Sequence, residues 1–180
     1  MESIAGPITL LAAASGARSM TGVAAVARAR AAAASTAEAR GPLPRIARRF
    51  DRRIADAATA MAVFELMADK APHIPDRIDP GPLFGRVIAG AVVGASVARM
   101  AGFDRRSAAI GGAAVSFAAA HLSYRLRAAL AEAVPGFVAG LIEDALIVGI
   151  AAAGAALLPA SGTREGEKRP HVIADTQSRP

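Results

Sequence analysis

The chain has 180 residues, of which 53% are hydrophobic and only 4% aromatic, with no Cys and no Trp. The lack of cysteine excludes disulfides and thiolate chemistry. The length suffices for one domain, but a water-soluble core usually relies on aromatic and large aliphatic side chains. Ala supplies most of the apolar content here, and small apolar residues are typical of closely packed membrane helices.

The net charge is +6, from 21 Lys and Arg against 15 Asp and Glu. A basic balance can indicate nucleic-acid binding or the cytoplasmic loops of a membrane protein. The densest basic block contains one aromatic residue, Phe50, so it lacks the stacking platform of a single-strand binder. We therefore predict no nucleic-acid partner. We expect a loop that contacts anionic lipid, formed by Arg40, Arg45, Arg48, Arg49, Arg52 and Arg53.

The apolar stretches predict an all-α polytopic membrane helix bundle of about five Gly/Ala-rich helices in residues 1–160, with the lipid bilayer as partner. A charged, disordered tail is predicted at 161–180. The first helix is predicted over residues 7–28, and because residues 1–9 carry no Lys or Arg, we expect no cleaved signal. Residues 54–70 have helical spacing but are short for a span of about 20 residues, so whether they cross stays open.

Four prolines between residues 72 and 82 predict an extended segment, and three further helices are predicted over 82–100, 107–130 and 135–158. Five crossings with the N-terminus outside and the tail inside would place most arginines on the inner side. Small residues at four-residue spacing predict close helix crossings at Gly90 and Gly94, at Gly136 and Gly140, and along Ala108, Gly112, Ser116 and Ala120.

Ionisable residues inside the apolar stretches are the best indication of function. A central Arg or Asp costs about 2.5–3.5 kcal/mol on insertion scales, so such residues should face inward and pair. No Lys or Arg lies between Arg127 and Arg164, so we expect Arg18 or Arg86 to pair with the acids of the last helix. Buried pairs that fix helix register are the alternative explanation. The predicted polar site comprises Arg18, Glu65, Asp69, Lys70, Asp76, Arg77, Arg86, Glu143 and Asp144.

Metal binding receives little support from the sequence. His73 with Asp69 and Asp76 forms a weak ligand set, so no metal and no cofactor are predicted. His121 is expected to be a helix-end residue at the membrane interface rather than a proton relay.

Five segments carry a resemblance to a known family: residues 16–21, 65–77, 81–94, 124–127 and 143–146. Their motifs are Gly-x-Arg-Ser, Asp-Lys-x-Pro-x-x-Pro-x-Arg and Glu-Asp-Ala. These segments resemble a bacterial family of small multi-helix integral membrane proteins that is known only as a domain of unknown function. The resemblance implies a multi-pass protein of the bacterial inner (cytoplasmic) membrane, and it implies no particular activity.

Three functions fit the sequence. The first is small-solute or ion transport through the polar site. The second is a lipid-phosphate enzyme, because residues 16–21 are similar to the phosphate-binding segment of undecaprenyl-pyrophosphate phosphatases, although the Ser before the Arg is missing. The third is a non-catalytic scaffold whose basic loop or tail contacts a cytosolic partner. A non-enzymatic function is favoured, while enzyme activity and homo-oligomerisation stay open.

Overall fold

The computed structural model describes residues 3–37, 45–68 and 78–158, and within these ranges the chain is all-α, with six helices and no strand. Helix α1 packs against α2, α4, α5 and α6, and α2 also packs against four helices, α1, α3, α4 and α6. The helices are α1 (Ala5–Ala17), α2 (Ser19–Ala37), α3 (Arg45–Ala68), α4 (Pro80–Ala101), α5 (Arg105–Ala133) and α6 (Gly136–Ala156).

The predicted first helix is broken in two, which raises the number of helices from five to six. Arg18 separates α1 from α2 with φ −140° and ψ 107°, an extended conformation. Chain direction then reverses, since a Cβ on Gly22 of α2 would overlap the carbonyl oxygen of Leu11 in α1. Val26 belongs to the same buried cluster as Ile8 and Leu11. The two helices therefore form an antiparallel hairpin with a one-residue turn at Arg18, and the prediction of one continuous helix over 7–28 is wrong.

Helix α3 begins earlier than expected, so residues 45–53 are helical and the prediction of a loop there is wrong. The helix runs antiparallel to α2, and alanines of both helices, among them Ala24, Ala27 and Ala58, fill the contact. Ion pairs flank this contact: Arg28 lies 2.9 Å from Asp56, and Arg30 lies 3.4 Å from Asp51. Arg40, the tail and residues 72–77 of the predicted extended segment lie outside the described residues. Helix α4 already begins at Pro80, because proline is tolerated in the first turn of a helix, so the prediction that the extended segment continues to Pro82 is wrong.

The last three helices match their predicted positions within a few residues. Helix α4 ends at Gly102, whose φ of 71° lies in the left-handed region that favours glycine. Asp104 then caps α5 by accepting a hydrogen bond from the backbone N–H of Ser107 at 2.8 Å. Hydrogen bonds from the Ser107 side chain and backbone hold the pKa of Asp104 below its ordinary value. These two caps explain the short turn between α4 and α5.

Small residues bring α4 and α5 into backbone contact, which confirms that part of the prediction. A Cβ on Gly94 would overlap the carbonyl oxygen of Ala108, and one on Gly112 would overlap that of Gly90. The prediction is wrong for α6. No atom lies within 4 Å of a Cβ built on Gly136, and only the Arg127 side chain, at 3.8 Å, lies near one built on Gly140. These two glycines therefore make no close helix crossing among the described residues.

The close crossing predicts that valine substitutions at the two adjacent glycines of α5, Gly111 and Gly112, have very different effects on the stability of the bundle. Gly112→Val should destabilise the bundle by about 1–3 kcal/mol, because its side chain meets backbone atoms that cannot move aside. Gly111→Val is the control, since a Cβ there has no atom within 4 Å and the change in helix propensity is the same. We expect the apparent Tm in detergent to be lower for Gly112→Val than for Gly111→Val. Each kcal/mol of destabilisation should lower it by about 2–4 °C. Equal Tm values would contradict the crossing.

One end of the bundle collects most arginines of the described residues. Ile4 before α1, Met100 near the end of α4 and Ala108 near the start of α5 pack around one buried cluster, so these helix ends lie together. Because α1 and α2 form a hairpin, the end of α2 returns to the same side, and the prediction that helix one carries the chain to the opposite side is wrong. We call this side the basic end; it comprises Arg28, Arg30, Arg48, Arg49, Arg52, Arg53, Arg99, Arg105 and Arg106.

Two of the described helices, α4 and α6, are long and apolar enough to cross a membrane. Helix α1 is also apolar but has only 13 residues. At 1.5 Å per residue, such a helix is about 20 Å long, shorter than the hydrocarbon core of a bilayer.

Candidate functional site

Arg18 lies at the tip of the α1–α2 hairpin and is almost completely buried, with 1% of its surface exposed. Its guanidinium group forms an ion pair with the carboxylate of Asp144 in α6. This pair confirms the expectation that an inward-facing arginine of the first helix neutralises an acid of the last helix. The most deeply buried cation of the site is therefore held at the one non-helical residue of the hairpin.

Breaking a helix inside a bundle leaves backbone groups without helical partners at both cut ends. At the end of α1, Arg86 of α4 donates hydrogen bonds to the carbonyl oxygens of Gly16, at 2.9 Å, and of Ala17. At the start of α2, the Glu65 carboxylate accepts from the N–H groups of Ser19 and Met20. Each side chain thus caps one end with the charge that the helix dipole favours.

The two capping side chains also lie near each other, because Arg86 Nη2 is 3.8 Å from Glu65 Oε1. The Ser116 hydroxyl of α5 donates a 2.7 Å hydrogen bond to the backbone carbonyl of Arg86. Gly16 is pressed so closely against α5 that a Cβ would overlap the carbonyl oxygen of Ser116. Helices α1, α3, α4 and α5 therefore all contribute to fixing the hairpin tip.

Glu143 has a partner that was not expected. Its side chain is 1% exposed and pairs with Arg127 of α5 at 3.2 Å. Adjacent residues on a helix point about 100° apart. Glu143 and Asp144 therefore face different neighbours, α5 and α1.

The structure brings five of the nine predicted site residues together: Arg18, Glu65, Arg86, Glu143 and Asp144. The other four, Asp69, Lys70, Asp76 and Arg77, lie outside the described residues, as does His73. With Arg127, which the sequence reasoning did not include, the described site has three arginines and three acids. The charges of this cluster are therefore matched.

Two buried hydroxyl groups lie close to Arg18, whereas His121 lies apart from the site. Ser15 and Thr21, in the turns on either side of Arg18, have buried hydroxyl oxygens without a hydrogen-bond partner among the described residues. They provide hydrogen-bonding capacity beyond the ion pairs. Thr21 belongs to the segment 16–21 that is similar to a phosphate-binding motif, whereas Ser15 was not predicted. His121 packs edge-on against Phe117, with ring centroids 4.6 Å apart, and does not join the site. No group of three or more His, Cys, Asp or Glu in the described ranges could hold a metal.

A groove of about 570 Å³ opens beside the hairpin tip, between α2, α3 and α4. Its polar end contains Ser19 and Glu65, and its walls are mostly apolar. The remaining lining residues are Met20, Val23, Met61, Phe64, Gly85, Ile88, Ala89 and Val92.

The fold and site define an all-α bundle built around a broken helix whose cut ends are capped by opposite charges. Comparison of the chain with protein-family models, with curated proteins and with solved structures gives no match. The family resemblance described above therefore stays a prediction.

Proposed function

We propose that the chain is a multi-pass membrane protein in which α3, α4, α5 and α6 cross the bilayer and the α1–α2 hairpin is re-entrant. The lengths and composition of α4 and α6 support this proposal. Non-helical backbone at membrane depth is tolerated only where protein buries it, and the turn at Arg18 is buried. Large apolar side chains on the outer surface, such as Ile110, Leu122 and Phe137, suit contact with acyl chains.

The distribution of arginine supports an orientation with the basic end in the cytoplasm of a bacterial cell, since positive charge accumulates on that side. The start of α1 and the end of α6 both lie at this end, so N-terminus and tail would both be inside. Anionic lipid would contact the basic start of α3, together with Arg40. The arginines of that segment are Arg45, Arg48, Arg49, Arg52 and Arg53.

Reporter fusions test this topology. A reporter fused before Met1 and one fused after Pro180 should both show cytoplasmic activity, whereas a fusion between α5 and α6, after Val134, should show periplasmic activity. Activity of the two terminal fusions on opposite sides of the membrane would contradict the re-entrant hairpin, because a fully crossing first helix would separate the termini. Periplasmic activity of both would contradict the proposed orientation.

We further propose that the hairpin tip is the binding site of a small-solute or ion transporter. The observation that carries this proposal is the break at buried Arg18 with opposite charges on the two cut ends. Discontinuous helices of this kind provide solute and ion sites in secondary transporters, because their free N–H and C=O groups can bind charge. Asp144 lies eight residues into α6, about 12 Å along its axis, which is close to the middle of a hydrocarbon core of about 30 Å.

One observation favours a scaffold instead. Three arginines match three acids in the described site, and matched pairs of this kind are consistent with a purely structural role that holds the hairpin in place. The lipid-phosphate alternative has less support, because Arg18, its expected phosphate ligand, is held by Asp144 and buried.

Flux measurements on the full chain in vesicles distinguish transporter from scaffold. Protons, chloride and inorganic phosphate serve as probes, followed by a pH-sensitive dye or by radiolabel. We expect flux of at least one probe in the parent protein. In Glu143→Gln/Asp144→Asn this flux should be more than tenfold lower, a change that corresponds to losing about one charged hydrogen bond. Glu132→Gln, an exposed acid of α5, is the control and should leave flux unchanged. A folded parent protein without flux of any probe would favour the scaffold.

A further inference from the structure

We propose that a groove at the basic end binds an anionic phospholipid, with one acyl chain along the groove and the head group at the start of α5. The occupant is a lipid of the cytoplasmic leaflet, so the inference rests on the proposed membrane location. It goes beyond the proposed function because it assigns a defined lipid site away from the hairpin tip, on different helices from the basic start of α3.

The groove lies between the first turns of α1 and α5 and has a volume of about 470 Å³, which is in the range of small-molecule pockets. Both helices begin at the basic end, so the groove extends from that end along the two helices. From Ala108 to Val115 the wall formed by α5 extends seven residues, about 10 Å. The lining residues are Ser3, Ile4, Ala5, Ile8, Thr9, Phe103, Ala108, Gly111 and Val115.

The groove opens to the outer surface of the bundle. Ala5, Thr9 and Gly111 are exposed, and a Cβ built on Gly111 has no atom within 4 Å. Among the described residues, no ionisable side chain lines the groove, and most of its walls are apolar. A hydrocarbon chain can therefore enter sideways from the bilayer and pack against these walls.

The end of the groove at the start of α5 carries an excess of positive charge. Phe103 and Ala108 line the groove, and Arg105 and Arg106 lie between them in the chain. Both arginines are exposed, and neither takes part in the ion pairs of the described bundle. Asp104, the acid beside them, caps α5. Two arginines against one acid attract the anionic head groups of the cytoplasmic leaflet.

The apolar walls and the arginines together select one class of ligand. Arginine donates paired hydrogen bonds to phosphate oxygens, which suits the phosphate diester of a phospholipid. A zwitterionic lipid also carries an ammonium group, which opposes the attraction. A free anion would leave the apolar walls without a partner.

Binding of radiolabelled dioleoyl phosphatidylglycerol to the purified full chain in detergent, measured by scintillation proximity, tests the inference. Gly111→Trp fills the groove and should weaken binding by about tenfold or more, because the acyl chain loses contact with the apolar walls. Gly149→Trp is the matched control. Gly149 is also an exposed helical glycine with no atom within 4 Å of its Cβ position, but it does not line the groove. This variant should change binding by less than about twofold.

A second pair of variants tests the head-group contact. Arg105→Gln/Arg106→Gln should weaken binding by about thirtyfold, because each arginine near an anionic head group contributes about a factor of five. Arg52→Gln/Arg53→Gln removes the same charge from exposed positions of α3 at the same end of the bundle. It should weaken binding by less than about threefold, since only screened long-range attraction is lost. If Gly111→Trp does not fold, this comparison still decides.

Four results would overturn the inference. Displacement of the label by dioleoyl phosphatidylcholine as well as by unlabelled phosphatidylglycerol would show that the head group is not recognised. Displacement by glycerol 3-phosphate at the same concentration would show that the acyl chain is not needed. Equal effects of the two Trp substitutions would place the lipid outside the groove. Equal effects of the two arginine pairs would show attraction to the basic end as a whole.

The outcome is separable from that of the proposed transport. Phosphatidylglycerol binding without flux of any probe would contradict transport alone. Flux without phosphatidylglycerol binding would contradict this inference alone.

Discussion

Replacing Arg18 by Met should lower the free energy of unfolding by about 3–5 kcal/mol, because Asp144 would keep its charge inside the bundle without the arginine that neutralises it. At about 2–4 °C per kcal/mol, the apparent Tm in detergent should fall by about 6–20 °C. Arg28→Met is the matched control. Arg28 also pairs with an acid, Asp56, but the two side chains are 51% and 63% exposed, and exposed pairs contribute about 0–1 kcal/mol.

The double variant Arg18→Met/Asp144→Leu separates the charge from the shape of the site. It removes both members of the pair, and apolar replacements of buried pairs are often neutral or stabilising. We therefore expect it to recover most of the Tm lost in Arg18→Met. No recovery would indicate that Arg18 acts through other contacts at the hairpin tip. A similar Tm for Arg18→Met and Arg28→Met would contradict the buried pair itself.

The double variant also bears on function. If it is as stable as the parent protein but loses flux, the charges serve more than helix register. If it is stable and flux was never present, the pair serves to hold the hairpin, as the matched charges of the site allow.

The sequence predicted the last three helices well because their apolar stretches are bounded by strong local signals. Gly102 and Asp104 mark the end of α4 and the start of α5, and Pro135 marks the start of α6. The four-residue spacing of Gly90 and Gly94 likewise predicted the close contact of α4 with α5. Such features depend on residues near one another in the chain, so a pattern can reveal them.

The break at Arg18 could not be predicted in the same way. Alanine-rich stretches on both sides, at 12–14 and 24–27, favour one continuous helix, and the groups that stabilise the cut ends, Glu65 and Arg86, lie 47 and 68 residues further along the chain. Two isolated glycines, Gly16 and Gly22, were the local signal. Glycine inside a helical pattern can indicate close backbone approach, and both make such contacts here.

The start of α3 was missed for a different reason. Residues 45–53 were assigned to a loop by their arginines and by the preceding prolines, but arginine is itself a good helix former. Helix α2 presents Arg28 and Arg30 to Asp56 and Asp51 of this helix. That pairing depends on the hairpin, which directs α2 back along α3. An error at Arg18 therefore carried over to the next element.

The partner of Glu143 also could not be predicted from the sequence. The absence of basic residues within α6 showed that a partner must come from another helix, but not which helix lies beside each face. Arg18 and Arg86 were the expected partners, and Arg127 was not considered. Antiparallel packing of α5 on α6 brings it next to Glu143.

Arg86→Met should lower the free energy of unfolding by about 3–5 kcal/mol, nearly as much as Arg18→Met. The substitution removes the hydrogen-bond donor at the end of α1 and the cation that lies 3.8 Å from Glu65. Arg86→Lys keeps the charge, but a compact ammonium group cannot reproduce the planar fork that spans two carbonyl oxygens and a carboxylate. We expect Arg86→Lys to lower the free energy of unfolding by about 1–3 kcal/mol. Arg99→Met, an exposed arginine of the same helix, is the control.

Hydrogen exchange shows whether the loss of stability in Arg86→Met is local to the hairpin. In Arg86→Met, the backbone amides around the turn, those of Arg18, Ser19 and Met20, should exchange faster than in the parent protein. Arg86 caps the end of α1 directly, and it lies 3.8 Å from Glu65, which caps the start of α2. Amides of α5 near Leu122 should change less. Stability of Arg86→Lys equal to that of the parent would show that charge alone suffices. Stability of Arg86→Met equal to that of Arg99→Met would contradict the capping role, since a buried donor to α1 cannot be removed without cost if it holds the break in place.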